Sequence, residues 1–205
     1  MTVRAAGLAL FLLVGSAAAC TSGGSDQPQA GASPSSSPAA AASSSGTPTA
    51  TPTPNLPGGC DQILPFSDLD QALGRPLFGQ SRSVRGVAEP KIGRTGRVTC
   101  QFGLAANGRG PAMLEVGVST YKDADSATER VAATVAALRA NATSQKTATV
   151  AGQDATMIGT KTDYNLVVAQ DDRTVVVTLS RKLTGVKLDA AAVAVAERVL
   201  ANWGR

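Results

Sequence analysis

The sequence predicts an α+β fold: a single domain built on one antiparallel sheet, with helices packed mainly on one face, preceded by a disordered tether. Three observations lead there. A strand–strand–helix order occurs twice, around residues 98–140 and again around 164–203. Composition breaks near Cys60, with almost no large apolar side chains before it and alternating apolar residues after it. From Cys60 to Arg205 the chain is long enough for one domain with one core. Its apolar content is mostly Ala, Val and Leu, which suits close packing of helices on a sheet. The two copies share no obvious residues and are a structural echo, not a sequence repeat.

Residues 1–19 read as a signal peptide. Arg4 is the short basic start, residues 5–14 form the apolar run, and small residues 15–19 lead into Cys20. The run is well short of the roughly 20 residues that a permanent membrane helix needs, so cleavage is the expectation. No twin-arginine pair precedes it. Ala17-Ala18-Ala19-Cys20 admits two outcomes. As a lipobox-type ending, the Cys20 thiol takes a diacylglyceryl group and becomes the first residue, anchoring the chain at the extracytoplasmic face of the cell membrane. As an A-x-A site it is cut by ordinary signal peptidase, and the chain is secreted with an unpaired thiol. The first is preferred, because it leaves Cys60 and Cys100 as an even set outside the reducing cytosol.

Residues 20–59 form the tether. After Cys20, Asp26 is the only charge and Leu56 the only large apolar side chain, so burial cannot offset ordering entropy. The Ala-Ser part is expected to be flexible and the Thr-Pro run at 47–54 extended, with a root-mean-square span of about 35 Å. Such a segment spaces a domain from a membrane or through a wall layer, and Ser/Thr-Pro stretches also accept O-linked glycans.

The domain, 60–205, opens with a helix over 68–73. Ser67 is its N-cap, Asp70 completes a weak capping box, and Gly74 stops it before Arg75-Pro76. Strands follow at 98–104 and 112–121; in the second, Leu114, Val116 and Val118 alternate with Glu115, Gly117 and Ser119, so one face is buried. The glycine-rich 105–111 is the loop between them. A helix runs from about 125 to 140, its stripe being Ala127, Val131, Val135 and Leu138. Short strands at 147–150 and 155–159 flank Gly152. The clearest hairpin is 164–170 with 174–180, turning at Asp171-Asp172-Arg173. A last helix starts after Asp189 as N-cap, buries Val193, Ala196, Leu200 and Trp203, and ends at Gly204.

A Cys60–Cys100 bridge closes a loop of about forty residues, worth about 4 kcal/mol on the chain-entropy model. It would pin the start of the domain to the first core strand. A redox role is weaker, since there is no C-x-x-C pair and no cationic helix start to activate a thiol. The lipobox-like Cys20, the low-complexity tether, Cys60 shortly before Ser67-Asp68-Leu69-Asp70, and Cys100-Gln101-Phe102 together resemble small actinobacterial cell-envelope lipoproteins of unknown function. So do the Val150-x-Gly152-x-x-Ala155 segment and the final helix near Trp203. The resemblance implies an envelope location and an α+β domain, and it brings no agreed reaction. Similar disulfide-held modules serve as ligand-sensing parts of envelope receptors, an analogy of fold.

Chemistry is thin. The chain has no histidine, which removes Ser-His-Asp and Cys-His nucleophilic sites and histidine metal sites. Gly86, Gly93 and Gly96 lack the phosphate-loop spacing. Asp123, Asp125 and Glu129 are better read as acids favoured at a helix N-terminus than as calcium ligands, since no acidic loop continues them. Asp171 and Asp172 belong to a turn, and Asp163 with Lys161 to a surface pair. The expectation is therefore no catalytic residue, no metal, no cofactor and no enzymatic activity.

Charge is the one functional lead. Arg75, Arg82, Arg85, Lys91, Arg94, Arg97 and Arg109 are opposed only by Glu89 in a chain of net charge +4. Interleaved Ser, Gly and Pro suggest a mobile basic loop, with Arg82, Arg85, Lys91, Arg94 and Arg97 as contacts for an anionic partner: an envelope protein, a wall polymer or lipid headgroups. The bland reading, a solvated loop that keeps the domain soluble, weighs more. Nucleic acid is not expected, because stacking aromatics are missing there. Three functions follow in order: a non-catalytic binding, sensing or interaction module; a carrier of a lipid or other apolar ligand; and an unrecognised hydrolase.

Overall fold

The computed structural model describes residues 56–203. The expected signal peptide, Cys20, the tether up to residue 55 and the stop at Gly204 lie outside the described residues. Within them the α+β class holds. Four helices and seven strands run α1 (Cys60–Ile63), α2 (Phe66–Leu73), β1 (Gln80–Gly86), β2 (Arg94–Leu104), β3 (Leu114–Tyr121), α3 (Ala124–Arg139), β4 (Ser144–Val150), β5 (Gln153–Gly159), β6 (Asp163–Gln170), β7 (Arg173–Ser180) and α4 (Leu188–Trp203). A single 3-10 turn, Pro90–Ile92, joins β1 to β2. The strands form one antiparallel sheet in the order β1-β2-β3-β7-β6-β5-β4.

Alternation along the strands divides the apolar residues between two faces. On one face Cys100 and Phe102 of β2, Val116 and Val118 of β3, Leu166 and Val168 of β6, and Val175 and Val177 of β7 are buried under Leu69 and Leu73 of α2 and Val195, Val199 and Trp203 of α4. Removing one such Leu or Phe from water is worth about 1.5–3 kcal/mol. On the other face, Ile158 and Val167 meet Val135 of α3, flanked by Val131, Leu138 and Val176. Three helices thus share the main face and α3 takes the reverse.

Several boundaries shift. Ser67 is not the cap of α2: the helix begins at Phe66, with Pro65 at the N-cap position and no side-chain bond there. Proline fits because its missing N–H is not needed in the first turn. Gly74 does end the helix, in the left-handed conformation at φ 68°. Asp123 caps α3, its carboxylate accepting from the Ser126 N–H at 2.8 Å. In α4 the helix starts one residue before Asp189, and Val195 and Val199 are the fully buried valines, while Val193 is half-buried.

The larger correction concerns the basic stretch. Residues 80–86 are not a mobile loop: they form β1, paired antiparallel with β2, which itself starts at Arg94 and not at Val98. Every β1 residue is exposed, so no apolar alternation marks the strand; its state comes from hydrogen bonds to its neighbour. The expected bridge is present, Cys60 to Cys100 with Cα atoms 5.5 Å apart. The chain is already tied down before it. Leu56 packs on the core, and the Arg85 guanidinium donates to the carbonyls of Pro57 and Gly58.

Candidate anion-binding site

The basic residues separate by element. Arg75 donates to the Thr184 carbonyl at 2.9 Å, and Arg109 sits in the β2–β3 loop at the far end of β2. Arg85 clamps the N-terminal segment. Arg82 crosses from β1 to the Gln101 side-chain oxygen on β2, with Nη2 at 2.6 Å. Gln101 in turn donates to Glu115 of β3 at 2.8 Å. Lys91, in the 3-10 turn, lines a small hollow with Ser126, Glu129 and Arg130 of α3.

Arg94 and Arg97 are brought together by an irregularity. Three residues apart, they would face opposite sides of a regular strand. The register runs Arg94↔Tyr121, Gly96↔Thr120 and Arg97↔Ser119, so Thr95 is an extra residue in β2. This bulge returns Arg94 to the face that carries Arg97, Ser119 and Tyr121. Thr95 bonds the Thr120 hydroxyl at 2.9 Å. The turn ahead of it is held by reciprocal backbone bonds between Glu89 and Arg94 and by an Arg94–Glu89 ion pair at 2.7 Å. Gly93 is left-handed at φ 68°, and a Cβ there would come within 2.8 Å of the Ser126 hydroxyl. Glycine therefore lets this turn sit against the first turn of α3.

The result is a cleft of about 130 Å³ between α3 and the β2–β3–β7 part of the sheet. Arg94 and Arg97 of β2 line it with Arg130 of α3, and Ser119, Tyr121, Thr134 and Thr174 add hydroxyls. Arg97 reaches the Thr99 hydroxyl at 3.2 Å and lies over Gly117, where a Cβ would stand 3.5 Å from its Nη2. The Arg94 side chain is 12% exposed, and its Nε is buried without a hydrogen-bond partner among the described residues. Among the described residues no carboxylate, histidine or cysteine lines the cleft. It offers donors and positive charge, and it contains no base or nucleophile pair.

Sequence reasoning singled out Arg82, Arg85, Lys91, Arg94 and Arg97 as one group. The structure brings Arg94 and Arg97 to the cleft, Lys91 to the hollow beside it and Arg82 to the same sheet face, and it sends Arg85 elsewhere. Arg130 was missed. Its only trace in sequence is its spacing from Thr134, which is four residues along α3 and donates to the Arg130 carbonyl at 2.8 Å. The acids at the start of α3 act as read: hydrogen bonds from Ser126, assisted by Lys122, hold the Asp123 carboxyl below the usual aspartate range. Asp189 is likewise lowered, chiefly by its bond from Lys146 at 2.8 Å. Among the described residues no group of three or more acidic, cysteine or histidine residues is placed to hold a metal ion. None of the described helices is long and apolar enough to cross a membrane.

Fold and site together define a disulfide-held α+β domain with a cationic cleft on the less covered face of its sheet. No protein-family model matches the chain, and no curated protein does. Among solved structures it is similar to the extracellular domain of PknH from Mycobacterium tuberculosis, at 12% identity and a TM-score of 0.47, over 71% of this chain and 94% of that one.

Proposed function

We propose that the protein is an exported, lipid-anchored component of the cell envelope, and that its domain is a non-catalytic binding or sensing module for an anionic partner. The observation that carries this reading is the gathering of Arg82, Arg94 and Arg97 on one sheet face. A guanidinium suits anionic recognition because it is always charged and donates in a rigid fork. The cysteine bridge supports an oxidising, extracytoplasmic address. The Met1–Cys20 pattern supports the anchor. The apolar-ligand carrier gains little from the cleft, where Arg94, Arg97, Arg130, Ser119, Thr134 and Thr174 outnumber Tyr121 and Val176.

Two measurements on the full chain test the reading. Cys20→Ala is expected to abolish labelling by a tagged fatty acid and to release the chain from membranes. Arg82→Glu with Arg97→Glu is expected to elute from an anionic polysaccharide column at lower salt than the parent. An unlabelled parent chain would remove the anchor, and unchanged elution would remove the cationic face.

A further inference from the structure

We infer that the cleft between α3 and the sheet is a binding site for one tetrahedral oxyanion, a phosphate or phosphate monoester. The inference narrows, and rests on, the reading of this domain as an anion-binding module. Guanidinium groups converge on the cleft from the bulged start of β2, from the next residue on the same face and from α3. Glu89 neutralises Arg94, but among the described residues no carboxylate lies within 4.0 Å of a side-chain nitrogen of Arg97 or Arg130. Lys91, Glu129 and Arg130 border the adjoining hollow, and no ion pair joins Glu129 to Arg130 among the described residues.

The buried Nε of Arg94 is the second indication. A guanidinium N–H taken out of water without an acceptor is costly, and folds retain few such groups. An oxyanion in the cleft supplies that acceptor. The size agrees: 130 Å³ holds a few water molecules or one small oxyanion with the beginning of its substituent. A planar carboxylate presents two oxygens, which one arginine saturates side by side. A phosphate monoester presents three acceptor oxygens. Guanidinium donors arriving from two positions on β2 and from α3, with the Thr134 and Thr174 hydroxyls beside them, match the second geometry. The phosphate source is either a free anion or a lipid headgroup, and the chemistry at the arginines is the same for both.

The test uses the full chain, titrated with inorganic phosphate against chloride at equal ionic strength, by calorimetry and by thermal melting. Saturable binding is expected. Arg97→Gln and Arg130→Gln should each weaken it roughly tenfold or more, the loss of a charge-assisted hydrogen bond. Arg97→Lys should lose part of that, keeping the charge without the fork. Arg109→Gln, in the exposed β2–β3 loop and away from the cleft, should leave it unchanged. A parallel arm uses phosphatidylcholine vesicles with and without phosphatidic acid. Binding to phosphatidic acid with the same arginine dependence, and no response to free phosphate, upholds the site and names a headgroup as the source. No response in either arm overturns the site. An equal loss in Arg109→Gln and the cleft variants also overturns it, since only diffuse attraction would then remain. Salt-dependent retention on the anionic column would persist in both cases, so failure of the cleft is distinguishable from failure of the cationic face.

Discussion

Thr95 shows how much a single residue decides. Were Thr95 paired regularly in the ladder, Arg94 would point to the face opposite Arg97, toward the apolar main layer. With the bulge, Arg94 joins Arg97 and keeps Glu89 at 2.7 Å. Asp123 acts at the same scale on the other side of the cleft, because it caps the helix that carries Arg130. Its folded-state pKa is lowered, so its contribution is present above the unfolded aspartate value and is lost as pH falls through the lowered folded value. Asp123→Ala is therefore expected to melt below the parent at neutral pH, and the two curves should converge at acid pH. Equal separation at both pH values would show that the carboxylate charge is not what stabilises the cap.

The helices differ in what holds them. α4 buries Ala191, Ala192, Val195, Ala196, Val199, Leu200 and Trp203, and Arg173 stacks over the Trp203 ring at 5.2 Å. α3 contributes Val135 to a small separate cluster, with Val131 and Leu138 only half-buried. Local opening follows buried apolar contact, so the amides of α3 should exchange with solvent before those of α4 and the central strands. Simultaneous exchange of both helices would mean that the two faces open as one unit. Faster motion of α3 matters for the cleft, since Arg130 moves with it while Arg94 and Arg97 stay with the sheet.

Across the whole molecule the bridge ties the N-terminal segment to the buried centre of β2. Its 40-residue separation corresponds to about 4 kcal/mol of chain-entropy stabilisation. The Cys60→Ser, Cys100→Ala double variant should lose about that much in urea unfolding. A loss below about 1 kcal/mol would indicate that the packing of Leu56 and the Arg85 clamp already order that end. Edge strand β1, exposed throughout and carrying Arg82 and Arg85, is protected from pairing with other chains by those charges.

Period-two alternation in 114–118, 164–168 and 174–179, and period-3.6 spacing in α3, were legible because each buries a face whose pattern is local. So were the turn at Asp171, left-handed at φ 52°, and the cysteine pair. β1 was not legible: an exposed edge strand carries no pattern, and its neighbour supplies its hydrogen bonds. The side of the sheet that α3 covers was equally hidden, since either face offers valines. Arg94 and Arg97 could be listed as basic from the sequence alone. Their meeting with Arg130 depends on a register irregularity in β2 and on the path of a helix more than thirty residues away, and those are properties of the packed chain.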